Sequence, residues 1–293
     1  MNSKRIAFLG FGEAARAFHQ SLSKKDPALE FFAWDILLLD QSSQMRDVIE
    51  SRNVAIVDPS DFGDADWIFN AVTADQSYVA LERIVEYLGD DQLVIDINSV
   101  APDKKRRSAA MIEETGAEYL DMAVMAPVHP HHHQTPVLIA GKMVNDLAQD
   151  LTELGFNFRI ISTDVGEATA IKMVRSLFVK GLEAITVETL LAAEASGCLE
   201  EITASISKSY PGLGWPDFAK YQFERTTTHG HRRAAEMRES AATLNNLGLT
   251  GSLANEIANV QEKMGFVGKP TSGETDLTER VVQVLKGRRG TNT

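Results

Sequence analysis

The residues with the plainest chemistry stand near the start of the chain. Gly10-Phe11-Gly12-Glu13-Ala14-Ala15 is a GxGxxA turn between a compact apolar run, Arg5 to Gly10, and a stretch with helical spacing, Glu13 to Lys24. Gly10 suits a tight turn, Gly12 puts no side chain between the backbone and an approaching pyrophosphate, and Ala15 lets helix and strand lie close. The helix start then offers N–H groups and the positive end of its dipole to phosphates. Asp35 follows Ala15 by 20 residues and ends the apolar run Leu29 to Trp34. An acid there is placed to accept hydrogen bonds from both hydroxyls of an adenosine ribose. Ile36 to Leu39 contain no Arg or Lys to meet a 2′-phosphate, so NAD is favoured and NADP is not excluded. Asp40 is a rival acid at the same strand end, and simple turn capping is the alternative for both.

Two further segments place small or polar residues just past apolar runs: Asn70-Ala71-Val72-Thr73 and Asp96-Ile97-Asn98-Ser99. Ligands of open α/β sheets sit at such carboxyl ends, so Val72, Thr73 and Asn98 are expected to touch cofactor and Ser99 substrate. Ordinary turn and cap chemistry would use the same residue types. Lys172, Ser176, Lys180 and Glu183 share one face of a helical stretch at i, i+4, i+8 and i+11. His229, Arg232 and Arg233 form a second cationic group, with Glu236 and Glu239 within helical reach as alternative partners. The run His129-Pro130-His131-His132-His133 reads as an exposed loop with no acidic or cysteine partner nearby, so no functional metal is expected. Cys198 reads as a small structural residue. Trp215 and Tyr221 read as core or subunit-contact residues.

The elements that must position these groups change character along the chain. Up to about residue 160, short apolar runs alternate with helical patterns. Strands are expected at Arg5 to Gly10, Leu29 to Trp34, Val54 to Val57, Trp67 to Val72, Leu93 to Ile97, Glu118 to Met122 and Val137 to Ala140. Helices are expected at Glu13 to Lys24, Gln76 to Leu88 and Pro102 to Thr115. That alternation implies a parallel sheet covered on both faces. From Asp164 to Ser196 the pattern is helical and free of proline; ~33 residues would span about 50 Å, the length of a spine between domains. The later segments, Glu200 to Ser209, Trp215 to Thr227, His231 to Leu247, Leu253 to Met264 and Asp276 to Leu285, are all helical in pattern. The expected division is a Rossmann domain over 1–163 and a helical domain over 164–293. Its interdomain helix covers 164–197, and 287–293 form a polar, disordered tail.

Composition narrows the classes. The 293 residues carry 29 Lys and Arg against 41 Asp and Glu, a formal net charge of −12. This disfavours a broad nucleic-acid or anionic-membrane face. One cysteine excludes an intrachain disulfide and suits a reducing compartment. No apolar run reaches ~20 residues, and the apolar start breaks at Gly10, too short for a secretory core. A cytoplasmic protein is expected.

Taken in order, the motifs resemble the β-hydroxyacid dehydrogenase superfamily, which includes 6-phosphogluconate and 3-hydroxyisobutyrate dehydrogenases. The resemblance rests on Gly10 to Ala15, Asp96 to Pro102, Asp121-Met122-Ala123-Val124-Met125-Ala126-Pro127, and Gly166-Glu167-Ala168-Thr169-Ala170-Ile171-Lys172. His229-Gly230-His231-Arg232-Arg233-Ala234-Ala235-Glu236-Met237-Arg238-Glu239 is similar to a poorly characterised branch of that group. The resemblance implies a Rossmann domain, a long interdomain helix and an all-helical domain that builds a homodimer. It implies hydride transfer between a nicotinamide and a small, anionic hydroxy acid or its keto form, with Lys172 as general acid/base. Met125 and Ala126 stand where the family holds the substrate carboxylate, Ser176 where it commonly has Asn, and Val179 where decarboxylating members have a proton-donating Glu. Lys180, His229, Arg232 and Arg233 are the replacement candidates for the substrate's anionic end. An imine reductase on the same scaffold and a non-catalytic NAD(H)-binding dimer are the alternatives.

Overall fold

A computed structural model describes residues 4–268 and 276–290. The chain divides into two compact units, Met1–Met173 and Val174–Thr293. The first is built on one eight-stranded sheet in the order β3-β2-β1-β4-β5-β6-β7-β8. Its strands are β1 (Arg5–Leu9), β2 (Glu30–Trp34), β3 (Ala55–Ile56), β4 (Trp67–Asn70), β5 (Leu93–Asp96), β6 (Glu118–Val124), β7 (Val137–Ala140) and β8 (Phe158–Ser162). Strands β1 to β6 run parallel, β7 runs antiparallel to β6, and β8 is parallel to β7.

The two-residue period of a strand explains the layers. Ile6 and Phe8 of β1 join Trp67, Phe69, Leu93 and Ile95 in one buried cluster, while Ala7 and Leu9 join Ile68 and Val94 in another. Both faces are therefore apolar and both must be covered, which is why the strands read as continuous apolar runs. Helix α1 (Glu13–Lys25) buries Ala15, Ala17, Phe18 and Leu22; α2 (Met45–Glu50) and α3 (Ser77–Glu82) are short; α4 (Pro102–Glu113) and α5 (Val144–Leu154) complete the cover. The stretch Gln76 to Leu88, expected as one helix, is α3 followed by a separate 3-10 turn at Val85–Tyr87.

The spine exists as α6 (Glu167–Ala195), 29 residues long, about 43 Å at 1.5 Å per residue. The division between the units lies inside it, because its first turn is held by the sheet: Gly166 and Thr169 N–H donate to Asp121 of β6, and Ala168 packs with Ala123, Leu138 and Ala140. The second unit continues with α7 (Leu199–Ser209), α8 (Asp217–Asn246), α9 (Ser252–Val267) and α10 (Leu277–Gly290). No strand occurs there among the described residues.

Two expectations are corrected here. The segments Trp215 to Thr227 and His231 to Leu247 form one helix, α8, through Gly230. A Cβ on Gly230 would meet the backbone of Gln261 and Gly265, so this glycine lets α8 and α9 touch rather than breaking α8. The expected tail at 287–293 is helical through Gly290, with Arg288 paired to Glu188 at 2.7 Å; residues 291–293 lie outside the described set. Among the described residues no helix is long and apolar enough to cross a membrane.

Candidate functional site

Parallel pairing of β1 to β6 puts their carboxyl ends on one edge, and the sheet order reverses between β1 and β4. That reversal is the switch point at which α/β sheets hold ligands. Gly10 follows β1 with φ +86°, and its N–H continues the ladder to Trp34 O at 2.8 Å. A Cβ on Gly10 would lie 2.6 Å from Val72 Cγ1 and 2.9 Å from Ala71 O. Gly12 differs: nothing lies within 4 Å of where its Cβ would be. It is the N-cap of α1, and no side-chain cap occupies the helix start. The open space over Gly12 at the helix start is the room a pyrophosphate needs. Ala15 is fully buried and Phe11 packs edge-on to Phe8, while Glu13 is exposed and Ala14 half-buried.

Asp35 terminates β2 and is tied to the glycine turn. Its Oδ2 accepts the Phe11 N–H at 2.8 Å and its Oδ1 the Leu37 N–H at 2.9 Å. Both oxygens keep a further lone pair. The following 3-10 turn, Ile36–Leu39, leaves Ile36, Leu37 and Leu39 exposed. Asp40, the rival acid, is spent on its own turn with Ser42, which holds its carboxyl below the usual range.

The other strand ends divide between contact and support. Val72 is half-buried beside Gly10, and Thr73 is exposed. Asn98 is buried, with its amide donating to Ser77 Oγ at 3.1 Å; Ser99 is half-buried. Met125 is half-buried and Ala126 exposed just after β6. Lys172 is half-buried on α6, in the first unit, six positions after Gly166.

The second unit answers the cation question differently from a substrate pocket. Lys180 is buried; its ammonium pairs with Glu236 at 2.8 Å and donates to Ser176 Oγ at 3.2 Å. Arg233 is buried against Glu183, bonding it through Nε at 2.8 Å and through Nη2, and Gln261 Nε2 donates to the same carboxylate at 2.8 Å. Arg232 keeps a side chain 49% exposed, 3.9 Å from Glu236. His229 is half-buried. Lys180 and Arg233 are thus structural cations tying α6 to α8 and α9.

The histidine run is not wholly exposed, as its prolines suggested. His133 is buried, its Nδ1 2.6 Å from Ser21 Oγ and its Nε2 3.0 Å from Leu154 O. Since a carbonyl only accepts, Nε2 carries the proton, and Nδ1 accepts from the serine. Burial lowers the imidazole's affinity for a second proton. Among the described residues no group of three His, Cys, Asp or Glu converges as metal ligands. Cys198 is half-buried and Trp215 packs in the helical core, whereas Tyr221 is exposed.

Reasoning from residue types missed the buried charges behind the sheet edge. Lys105 of α4 is fully buried, 3.0 Å from Asp96 Oδ1 and 3.6 Å from Asp121 Oδ1. Tyr119 donates to Asp96 Oδ2 at 2.6 Å, and burial beside that carboxylate pushes its phenol well above the ordinary range. The available signal was Asp-x₈-Lys starting from the last residue of β5, followed by Asp121 within the adjacent β6.

A parallel sheet in this order with a glycine turn at the reversal defines a Rossmann-type dinucleotide fold, here joined to an all-helical unit. A model for a domain of unknown function, DUF1932, matches residues 193–264. The crystal structure of a conserved hypothetical protein from Sinorhizobium meliloti is 30% identical, covering 98% of this chain and 97% of that one with TM-score 0.73. A Mycobacterium tuberculosis 3-hydroxyisobutyrate dehydrogenase with L-serine is 15% identical over 96% and 99% of the two chains, TM-score 0.71. An imine reductase from Myxococcus stipitatus with NAD+ is 17% identical over 96% and 100%, TM-score 0.58. The chain belongs to the same family as the conserved hypothetical protein from Sinorhizobium meliloti, and its likeness to the 3-hydroxyisobutyrate dehydrogenase and the imine reductase is one of fold.

Proposed function

We propose that this protein is a nicotinamide-dependent dehydrogenase that moves a hydride between the cofactor and a small hydroxy acid or its keto form. The observation that carries the reading is the uncapped start of α1 with open space over Gly12, beside Asp35, at the switch point of the sheet. The residues fit a dinucleotide. The Gly10–Ala15 backbone would hold the pyrophosphate, Asp35 the adenosine ribose, and Val72, Thr73 and Asn98 would flank it. NAD is the proposed form, because the exposed turn after Asp35 offers no cation to a 2′-phosphate.

When bound, the nicotinamide supplies or accepts the hydride. Lys172 Nζ takes the hydroxyl proton as the alcohol is oxidised and returns it as the ketone is reduced. Ser99 and Met125-Ala126 are proposed to border the substrate. Val179 cannot deliver a proton, so decarboxylation by the usual route through a proton-donating Glu at that position is not proposed. His229 and Arg232 are proposed as anion-binding residues of the helical unit. A second copy of the chain is the proposed partner for the exposed row Val174, Phe178 and Ile185 on α6; sedimentation showing only monomer would remove it.

The test is turnover of a panel of hydroxy acids, including 3-hydroxyisobutyrate and L-serine, with NAD and with NADP. Lys172→Ala should bind NADH normally and lose at least ~10²-fold in kcat. Wild-type turnover by that variant, preference for imines over ketones, or binding without turnover across the panel would each overturn the reading.

A further inference from the structure

Among the described residues of the first unit, a fully buried ion-paired group lies on β5, β6 and α4, and none of it enters the chemistry above. The Lys105 ammonium donates to Asp96 O at 2.5 Å and is the counter-charge of two carboxylates, Asp96 and Asp121. All three side chains are fully buried. Asp96 is otherwise satisfied. Its Oδ1 accepts the Asn98 N–H at 2.9 Å, and its Oδ2 accepts Tyr119 Oη–H at 2.6 Å and Ser77 Oγ–H at 3.3 Å. Asp121 is divided between two tasks. Its Oδ2 accepts the N–H of Gly166 at 3.1 Å and of Thr169 at 3.0 Å, the first turn of α6. Its Oδ1 makes no hydrogen bond and faces Lys105 at 3.6 Å.

A helix start leaves four N–H groups without intrahelical partners. Two of these at α6 are met by a carboxylate 45 and 48 residues away in sequence, standing on a central strand. A buried carboxylate would shed its charge unless compensated, and Lys105 is the group within ion-pair distance. Thr169 and Lys172 are i and i+3, neighbours on one helix face.

We propose that Lys105 and Asp121 are positioning residues: Lys105 keeps Asp121 charged, and Asp121 fixes the first turn of α6 and with it Lys172. The same ammonium grips Asp96, which orders the Asn98–Ser99 turn, so one buried cation sets both the α6 start and the loop after β5. The inference rests on Lys172 as the proton-transfer group, and its test is chosen to stand apart from that reading.

Asp121→Asn is the main variant, since Asn still offers one acceptor to the helix. Three readouts apply to the full-length protein: peptide-resolved amide exchange over 163–172, the pH midpoint of Lys172 acylation by acetic anhydride, and NADH titration. Exchange of the first-turn amides should quicken at least ~10-fold. The Lys172 midpoint should fall by about half a pH unit, because the carboxylate bonded to the helix turn that leads to it has lost its charge. NADH affinity should stay within about twofold, since Gly10–Ala15 and Asp35 are untouched. With whichever hydroxy acid is turned over, kcat should drop ~10–10²-fold at unchanged KM, as a misplacement near 1 Å produces. Lys105→Met leaves two buried carboxylates uncompensated and should melt far lower. Adding Asp121→Asn should recover part of the melting loss, since Asp96 stays uncompensated, but not the Lys172 midpoint.

Unchanged exchange, or an unchanged Lys172 midpoint, in Asp121→Asn overturns the proposal whether or not a substrate is found. Loss of NADH affinity equal to the loss in kcat overturns it too, by showing general damage. Whether Lys172 carries the proton is decided separately by Lys172→Ala.

Discussion

Two alanine substitutions two residues apart should separate the fold from the ligand. At Gly10, alanine must adopt φ +86° and place a methyl 2.6 Å from Val72 Cγ1 and 2.9 Å from Ala71 O. A positive φ costs an L-residue ~1–2 kcal/mol, and overpacking adds ~1–3 kcal/mol. The loss is therefore about 2–5 kcal/mol, of which the Ala71 carbonyl, as backbone, relieves little. At ~2–4 °C per kcal/mol for a unit of this size, melting falls by on the order of 5–15 °C. At Gly12, alanine meets no atom within 4 Å and φ is −74°. The N-cap preference costs only ~0.5–1 kcal/mol, so melting without ligand barely moves. The methyl does fill the space over the α1 start, and NADH affinity should fall at least ~10-fold, or ~1.4 kcal/mol. Differential scanning fluorimetry with and without NADH, beside a fluorescence titration, reads both effects. Equal NADH affinity for wild type and Gly12→Ala would refute the placement of the pyrophosphate. Wild-type melting of Gly10→Ala would refute the steric argument.

Other outcomes follow from the buried charges. Glu183→Ala strands a buried Arg233 and should cost ~3–5 kcal/mol, with much of it recovered by adding Arg233→Met; urea unfolding of the single and double variants checks this. His19 and His133 are both buried and hold their second proton less well than in the unfolded chain. The unfolded state therefore binds more protons below about pH 6.5, and stability should be whole above that pH and decline as it falls further. Thermal melts from pH 7.5 to 5 test the slope, and His19→Phe, set among Phe11 and Phe31, should flatten it.

What could be read from the chain was what is local. Each of the strands β1, β2, β4, β5, β6 and β7 is a compact apolar run, and the glycine turn lies between adjacent elements. Strand β8 escaped because Arg159 and Ile160 are exposed, so it shows no buried run. Helix α8 was split at Gly230 because helix propensity registers the missing Cβ but not the α9 backbone that requires it. The same limit hid the buried charges. Lys180 and Arg233 have the residue types of an anion site, and only the fold shows Glu236 and Glu183 already opposite them. Within the run Lys104-Lys105-Arg106-Arg107, residue type does not set Lys105 apart from its neighbours. Its burial depends on α4 lying over β5 and β6, which no spacing rule encodes.

The link between Asp35 and Phe11 bears on any attempt to redesign cofactor preference. The usual edit exchanges the acid at this strand end for a neutral or basic residue, treating it as an exchangeable specificity label. Here the carboxylate also receives the Phe11 N–H inside the glycine turn and the Leu37 N–H of the following turn. Removing it strips a buried amide of its acceptor in the loop meant to cradle the new phosphate. A redesign must first supply a replacement acceptor for Phe11, so selectivity and loop integrity are a single engineering variable at this position.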